Sequence, residues 1–598
     1  MDSERTVHGI TWTDDLAWME DMKGERWNTF IKKEQERWNH VKKSKLPKLK
    51  SQIHKASAIA NQMRFTAGDL FIGHTGTMSY TWKWKGSSEV QEVQEAADIC
   101  VKGDCVYVSY EDSTTPGAEN YVIAAYRKGS ANPLWIRKGM SPFVGVLGDR
   151  CYSIEAKNKL VYYKCISWNC VRGDDVRVEY EEKDARYNLD LIRGEGCLYL
   201  RRQSGPKQDV INLLHNTLLQ PVSLDSRRFV FGCVGEDEYL YWSSDEKWKA
   251  SHGLKKYMLP SFAKDTPEYI DTRRNLLITR VYGKRTLWHI SDGVPRILWR
   301  GVGNLMVDPW EGDWLRITVP GVPVVWHDLK RKIPGAVGLV EERFAKSADG
   351  TEVPFYIVSH VSRPKALFIS AYSAYGIPTG FSTARWVPLL SEGFAVCFGV
   401  YRGGGDHTPE WEDDGRLSGR MKVLEDAEAV VREARRVCHI PGSKTVVYGR
   451  SAGGLWVGGL CSRYPKGDLF GGAYMEVPYL DVLRTTTNLR LPLTLLETDE
   501  FGLPSLRISD FAGILQWSPM ETLPTGGADI FQIVRTGLND PQVFAYESAK
   551  WVERNRGKGR VYLAIEGDQG HFVNGSMGLH QKAEDISFII DFIKNRSN

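Results

Sequence analysis

Thr445-Val446-Val447-Tyr448-Gly449-Arg450-Ser451-Ala452-Gly453-Gly454-Leu455 is the stretch on which the reading of this 598-residue chain turns. An apolar run enters a G-x-S-x-G sequence, and small and apolar residues leave it. That is the pattern of a nucleophile elbow, a sharp strand-to-helix turn. The glycines around the serine remove side chains that would block the turn. The Ser451 hydroxyl is then expected to stand exposed at the C-terminal edge of a sheet. The Ala452 N–H falls at the start of the following helix, where it can help to stabilise an oxyanion.

A serine hydroxyl is a weak nucleophile and needs a base, which in turn needs an orienting carboxylate. With the serine on such an elbow, the chain order is Ser, then Asp or Glu, then His. Two histidines follow Ser451, His571 and His580. His571 lies just after the apolar run Val561-Tyr-Leu-Ala-Ile565, where a base belongs; His580 reads as a surface residue at a helix start. For the acid, Phe531-Gln-Ile-Val534 leads into Arg535-Thr-Gly-Leu-Asn-Asp540-Pro-Gln-Val543. Asp540 can carry the charge and Asn539 cannot, although Asp540 would also suit a helix cap near Val543.

The rest of the chain sets the frame. Its length calls for two or more domains. Hydrophobic residues make up 42% and charged ones 25%, an ordinary globular balance. A net charge of +4 gives no reason to invoke nucleic acid or an anionic membrane. The first residues hold acidic groups and no apolar core of a signal segment, and no stretch is long enough to span a bilayer. The ten cysteines form no C-x-x-C pair; Cys100 with Cys105, or Cys165 with Cys170, read as reduced thiols rather than disulfides or metal ligands. A cytoplasmic location, no metal and no cofactor are therefore expected.

Three textures follow one another. Residues from about 14 to 45 place Trp18, Met19, Met22, Trp27, Phe30, Ile31 and Trp38 at helical spacing. From about 63 to 333 a turn with two alternating strands recurs, starting at Gly68, Gly103, Gly148, Gly194, Gly235, Arg273 and Glu311. The intervals are 35, 45, 46, 41, 38 and 38 residues. A period near 40 suits four-stranded propeller blades, about seven of them; a pair of β-sandwiches is the alternative. After Pro334, apolar strand-like runs alternate with helical segments over 423–437, 455–462, 543–555 and 584–594, the rhythm of a doubly wound α/β domain.

Several strings, in this order, resemble the prolyl oligopeptidase family of serine peptidases, and most of all its oligopeptidase B branch. They are Val7-His-Gly, Asp14-Asp-Leu-Ala-Trp18, Tyr372-Ser-Ala-Tyr-Gly376, Arg402-Gly-Gly-Gly-Asp406, Gly449-Arg-Ser-Ala-Gly-Gly454, Glu476-Val-Pro-Tyr479, Pro492-Leu-Thr-Leu-Leu-Glu497, Gly537-Leu-Asn-Asp540, Tyr546-Glu-Ser-Ala-Lys-Trp551 and Gly570-His571. The resemblance implies a helical arm over 1–60, a seven-bladed β-propeller over 61–335 that caps the active site, and an α/β-hydrolase domain over 336–598. It implies Ser451, Asp540 and His571 as the catalytic triad, and the Tyr372 hydroxyl with the Ala452 N–H as the oxyanion hole. Glu497 falls where the branch carries a carboxylate for a basic P1 side chain, and Arg402, Asp406 and Gln542 are counted with it as substrate-binding. Two departures matter. The segment Ile377-Pro-Thr-Gly-Phe381 lacks the two aspartates usual there, so weak selection for a second basic residue at P2 is expected. Gln542 replaces an arginine of prolyl-specific relatives.

The expected function is hydrolysis of short peptides after Arg or Lys, with large proteins excluded by the propeller. Other readings are a prolyl-specific oligopeptidase, an esterase on the same fold, and a catalytically silent propeller scaffold.

Overall fold

The computed structural model describes residues 4–595 apart from 42–45, 59–63, 68–69, 75–79, 86–90, 94–95, 116, 158–159, 195–196, 206, 214–221, 225–228, 234–238, 244–248, 251–264, 272, 292–293, 308–312, 321–324, 334–339, 382–383, 558–559, 568 and 574. The chain divides into two compact units. One comprises residues 1–55, 338–406 and 410–598; the other comprises 56–337 with 407–409.

The first unit is built on one eight-stranded sheet. Its strands are β1 (Val340–Lys346), β2 (Glu352–Ser359), β3 (Ala366–Ala371), β4 (Phe394–Gly399), β5 (Thr445–Arg450), β6 (Gly472–Glu476), β7 (Phe531–Gly537) and β8 (Val561–Glu566). Their order is β1-β2-β4-β3-β5-β6-β7-β8. β1 and β2 pair antiparallel, as do β2 and β4, and every later pair is parallel. This is the α/β-hydrolase strand order. Strands β4, β6 and β7 are buried along their whole length, which is why the central runs read as continuous apolar sequence rather than as alternation. The helix Arg420–Cys438 shows the complementary pattern, burying Val423, Leu424, Ala427, Val430, Val431 and Ala434 on one face.

β1 and β2 are not among the strand-like runs of the sequence, and two later elements depart from its reading as well. β6 is short, carries no β-branched residue and went unread; a Cβ on its Gly472 would come 3.0 Å from Phe592 Cε1 and 3.1 Å from Val446 Cγ2, so tight packing rather than propensity holds it. The last helix runs from Gly575 to Lys594, nine residues earlier than expected. A Cβ on Gly578 would fall 2.5 Å from the Val573 carbonyl oxygen, so glycine is what lets the helix begin there.

The N-terminal arm belongs to this unit. After the short 3-10 turn Ala17–Glu20 comes the helix Glu25–Val41, whose Trp27 and Ile31 join the same core as the sheet. The docking is also electrostatic. Asp14, Glu20 and Asp481 have the spacing of a metal cluster, but the Lys550 ammonium sits among them at 2.6, 2.8 and 2.9 Å. Lys550 is wholly buried. Burial alone would raise the Glu20 carboxyl, yet hydrogen bonds from Arg484 and Lys550 hold it at about 2.

The second unit is antiparallel throughout. Among its described residues, seven consecutive meanders span 64–93, 96–140, 145–181, 188–224, 229–250, 266–302 and 304–328. The second and third are joined into one sheet by a single pairing, Met140 with Glu155. The repeat starts at Gly103, Gly148, Gly194 and Arg273 all fall at the turn between the first and second strands of a meander; those at Gly68, Gly235 and Glu311, and the boundary at Pro334, lie outside the described residues. Trp326 of the last meander packs against a core that includes Leu70, Ile72, Trp82 and Trp84 of the first. Cys100, Cys105, Cys151, Cys165, Cys170, Cys397, Cys438 and Cys461 carry free thiols. Among the described residues no helix is long and apolar enough to cross a membrane.

Removing one partner of a buried ion cluster leaves the others uncompensated, at a typical cost of about 3–5 kcal/mol. Lys550→Ala is therefore expected to lower the unfolding free energy of the α/β unit, read from its urea midpoint, by that amount and to make the arm cleavable by added protease. An unchanged midpoint would mean that the arm is held by its apolar contacts alone.

Candidate active site

Strand β5 hands the chain to the helix Gly454–Arg463 through the single 3-10 turn Ser451–Gly453. Ser451 has φ of 53°, a left-handed conformation that costs a non-glycine residue energy. The flanking glycines make the turn possible by close approach. A Cβ on Gly449 would lie 2.1 Å from the Gly453 carbonyl oxygen, and one on Gly454 would lie 2.5 Å from Pro478 Cβ. The Tyr479 N–H donates to the Ser451 carbonyl at 3.0 Å and fixes the strained residue from the far side.

The loops after β7 and β8 converge on this turn. His571 Nε2 lies 3.0 Å from Ser451 Oγ, and His571 Nδ1 lies 2.8 Å from Asp540 Oδ2. The other Asp540 oxygen accepts the N–H groups of Gln542 and Val543, each at 2.9 Å. Asp540 thus caps the following turn with one oxygen and holds the imidazole with the other. The two loops are tied directly: the Asn539 N–H donates to the Gln569 carbonyl at 2.8 Å. His571 and Asp540 are both 3% exposed, so their mutual contact is shielded from water. His580 lies within the last helix and pairs with Glu584 at 3.1 Å, away from this group.

A cavity of about 420 Å³ opens over Ser451. Tyr372 and Ala452 line it beside the serine. Burial pushes the Tyr372 hydroxyl well up, with Glu500 and Glu497 adding to the effect, so it remains a neutral donor. Apolar walls come from Ile377, Leu493, Val543 and Phe544, and Phe572 stands at the rim. Glu497 in its wall and Glu500 three residues on are carboxylates with opposite circumstances. Glu500 is compensated by Arg416 at 3.1 Å, by Arg420 and by the Tyr375 N–H at 2.9 Å. Glu497, which lines the cavity, makes no ion pair among the described residues; its contact is the Tyr375 hydroxyl, 2.6 Å from Oε1. Burial, reinforced by Glu500, raises its pKa to about 7 against the opposing pull of Tyr375 and Arg420.

The structure brings Ser451, Asp540, His571, Tyr372, Ala452, Glu497 and Gln542 to this one place, but not Arg402 or Asp406. Arg402 is 1% exposed; its guanidinium is taken up by Asp426 (2.6 and 3.0 Å), Asp349 and Ser347. Asp406 is fully buried and accepts the Thr379 N–H and hydroxyl, each at 2.8 Å. Both brace the loops around the cavity, and neither lines it; counting them as substrate-binding is corrected on that ground. Tyr375, Arg450 and Phe572 line the cavity and were not singled out. Tyr375 sits inside the string Tyr372-Ser-Ala-Tyr-Gly376, yet only its left-handed backbone, φ 58°, turns the ring toward Glu497.

Residues 380–598 match the model of the prolyl oligopeptidase family. Protease 2 of Moraxella lacunata is 30% identical over 263 residues, 42% of this chain and 37% of the relative. The prolyl endopeptidase-like protein of Homo sapiens is 36% identical over 167 residues, 27% of this chain and 23% of the relative. The matched sequence thus spans well under two thirds of either curated relative. The fold is similar to that of oligopeptidase B from Trypanosoma brucei, a closed form with covalently bound antipain, which superposes with a TM-score of 0.80 at 19% identity, over 99% of this chain and 96% of that one.

Proposed function

We propose that this chain, whose residues 380–598 match the prolyl oligopeptidase family, is a serine oligopeptidase that cleaves short peptides after Arg or Lys. The observation that carries the reading is the unbroken hydrogen-bonded line from Ser451 Oγ through His571 to Asp540 at the ends of three parallel strands. In this reading Ser451 attacks the scissile carbonyl while His571 accepts its proton. His571 then passes the proton to the departing amine, and Asp540 keeps the imidazole oriented throughout. Water cleaves the acyl-enzyme by the same route, with His571 again as base. The oxyanion is shared by the Tyr372 hydroxyl and the Ala452 N–H, donors that are in place before the charge develops.

Specificity follows from Glu497. A partly desolvated carboxylate without a cation is a costly group unless a ligand supplies one. A basic P1 side chain does so, its stem against Leu493 and Val543, and the planar guanidinium fork favours Arg over Lys. The same charge argues against a prolyl P1, and the Ser451–His571 bond argues against a silent scaffold. We read the seven meanders as blades of a propeller, a reading supported by the contact of Trp326 with the first meander; in it, the propeller limits access to peptides. The free thiols support a reducing compartment such as the cytoplasm.

The experiment that tests the chemistry is labelling with a fluorophosphonate. The wild-type chain should be labelled and should turn over peptide amides. Ser451→Ala should lose both while its melting temperature changes little, and turnover retained in that variant would end the reading.

Access is tested by length. Unstructured peptides of a few tens of residues should be cut, and a folded protein with an exposed Arg-containing loop should stay intact. Efficient digestion of that protein would remove the gate.

Glu497 is tested through pH. Its carboxylate is the binding form, so with a pKa of about 7 it is roughly 10% ionised at pH 6 and roughly 90% at pH 8 in the free enzyme, the state that kcat/KM reports. Glu497→Gln should lower kcat/KM for an Arg substrate by roughly 30-fold at pH 8. The deficit should shrink toward pH 6, because the wild type is losing its charge there. Substrates with apolar P1 should be little affected. An unchanged Arg-to-Ala preference in the variant would assign specificity elsewhere.

A further inference from the structure

Arg450 and Glu476 belong to strings singled out in the sequence, yet the chemistry above does not use them. They meet directly behind the triad. Arg450 immediately precedes Ser451, and its guanidinium reaches across to the loop that carries His571. Its Nη2 donates to the His571 carbonyl oxygen, while its Nη1 donates to Glu476 Oε2 at 3.2 Å. The Phe572 ring lies over the same guanidinium, 5.2 Å away. Glu476 closes strand β6 and is 5% exposed. Arg385 and the hydroxyls of Tyr448 (3.0 Å) and Tyr474 hold it as well. Burial alone would neutralise Glu476, but Arg385 and Arg450 outweigh burial and keep its pKa well below the usual carboxylate range.

This arrangement matters because His571 sits on a loop and must keep a 3.0 Å contact with a serine on a different strand. One side of that loop is tied to the acid loop through the Gln569 carbonyl. The other side is tied through Arg450. We propose that Arg450 is a positioning residue, a clasp that fixes the His571 carbonyl to the Glu476 carboxylate and so sets the base against the nucleophile. The proposal rests on the reading of Ser451 and His571 as nucleophile and base. A planar guanidinium is suited to the task because it donates in two divergent directions at once from a rigid fork, whereas an ammonium is a compact point charge on a flexible stem and lacks that fixed geometry. Because the clasp starts one residue before Ser451, a shift of the turn carries the base with it.

Loss of the clasp should impair proton transfer rather than substrate binding. Misplacing a catalytic group by about 1 Å costs on the order of 10²-fold in rate. Arg450→Ala is therefore expected to lower both kcat and the rate constant of fluorophosphonate inactivation by about that factor, with KM changed less than about threefold. Added methylguanidinium should recover about tenfold, since Arg450 lies at the cavity wall and is 28% exposed. Arg450→Lys keeps the stem and the charge and should fold if the alanine variant does not; its kcat should still fall by about tenfold. Wild-type kcat in either variant overturns the proposal. So does a rise in KM without loss of kcat, which would make Arg450 a substrate contact, or an alanine variant that methylguanidinium does not improve. Inactivation by fluorophosphonate needs no P1 side chain, so these outcomes are independent of Glu497. A wild-type chain that is not labelled at all would instead refute the triad reading beneath the proposal.

Discussion

Everything in the α/β unit is referred to one backbone constraint, the turn at Ser451. β5 has to stop and a helix has to start within three residues. The turn closes only because the Gly449 Cα can lie against the Gly453 carbonyl, where a Cβ would come within 2.1 Å of the oxygen. The strain of a left-handed serine is carried by the sheet on one side and by the Tyr479 N–H on the other. With the hydroxyl raised at that point, the loops after β3, β7 and β8 have a fixed target. Tyr372, Asp540 and His571 are useful only in relation to it.

Charge is distributed around this turn in two manners. The scaffold uses carboxylates that are paired several times over: Glu20 with Arg484 and Lys550, Glu500 with Arg416 and Arg420, Glu476 with Arg385 and Arg450. For Glu20 and Glu476 these cations outweigh the burial that would otherwise raise the carboxyl. Glu497 stands apart. Its contact is a neutral hydroxyl, its pKa is raised to about 7, and it faces the cavity beside the serine. The contrast between Glu497 and Glu500, three residues away, shows how a site can keep one carboxylate available while locking its neighbour into the structure.

The same contrast explains where sequence reasoning went astray. Arg402 and Asp406 flank a glycine-rich string and look like a binding loop. In three dimensions their charges are spent on Asp426, Asp349, Ser347 and Thr379. Nothing in a linear string distinguishes a charge that faces a cavity from one that braces the wall behind it. Tyr375 and Arg450 illustrate the reverse case: both were visible within quoted strings, but their importance depends on partners 122 and 121 residues away, Glu497 and the His571 carbonyl.

What the sequence by itself determined is local and repetitive. The elbow glycines, the order Ser451, Asp540, His571, the continuous apolar strands and the period near 40 residues follow from chain geometry and from which faces must be buried, and such constraints are written in neighbouring residues. At two of the repeat starts, Gly103 and Gly148, the glycine has a positive φ and marks a hairpin turn. Only the tertiary structure decided which charges are neutralised. The Lys550 ammonium filling the site of Asp14, Glu20 and Asp481, the lone state of Glu497 and the clasp of Arg450 all arise from contacts between segments far apart in the chain. Electrostatic energy depends on distance and burial, and neither is a property of position along the sequence.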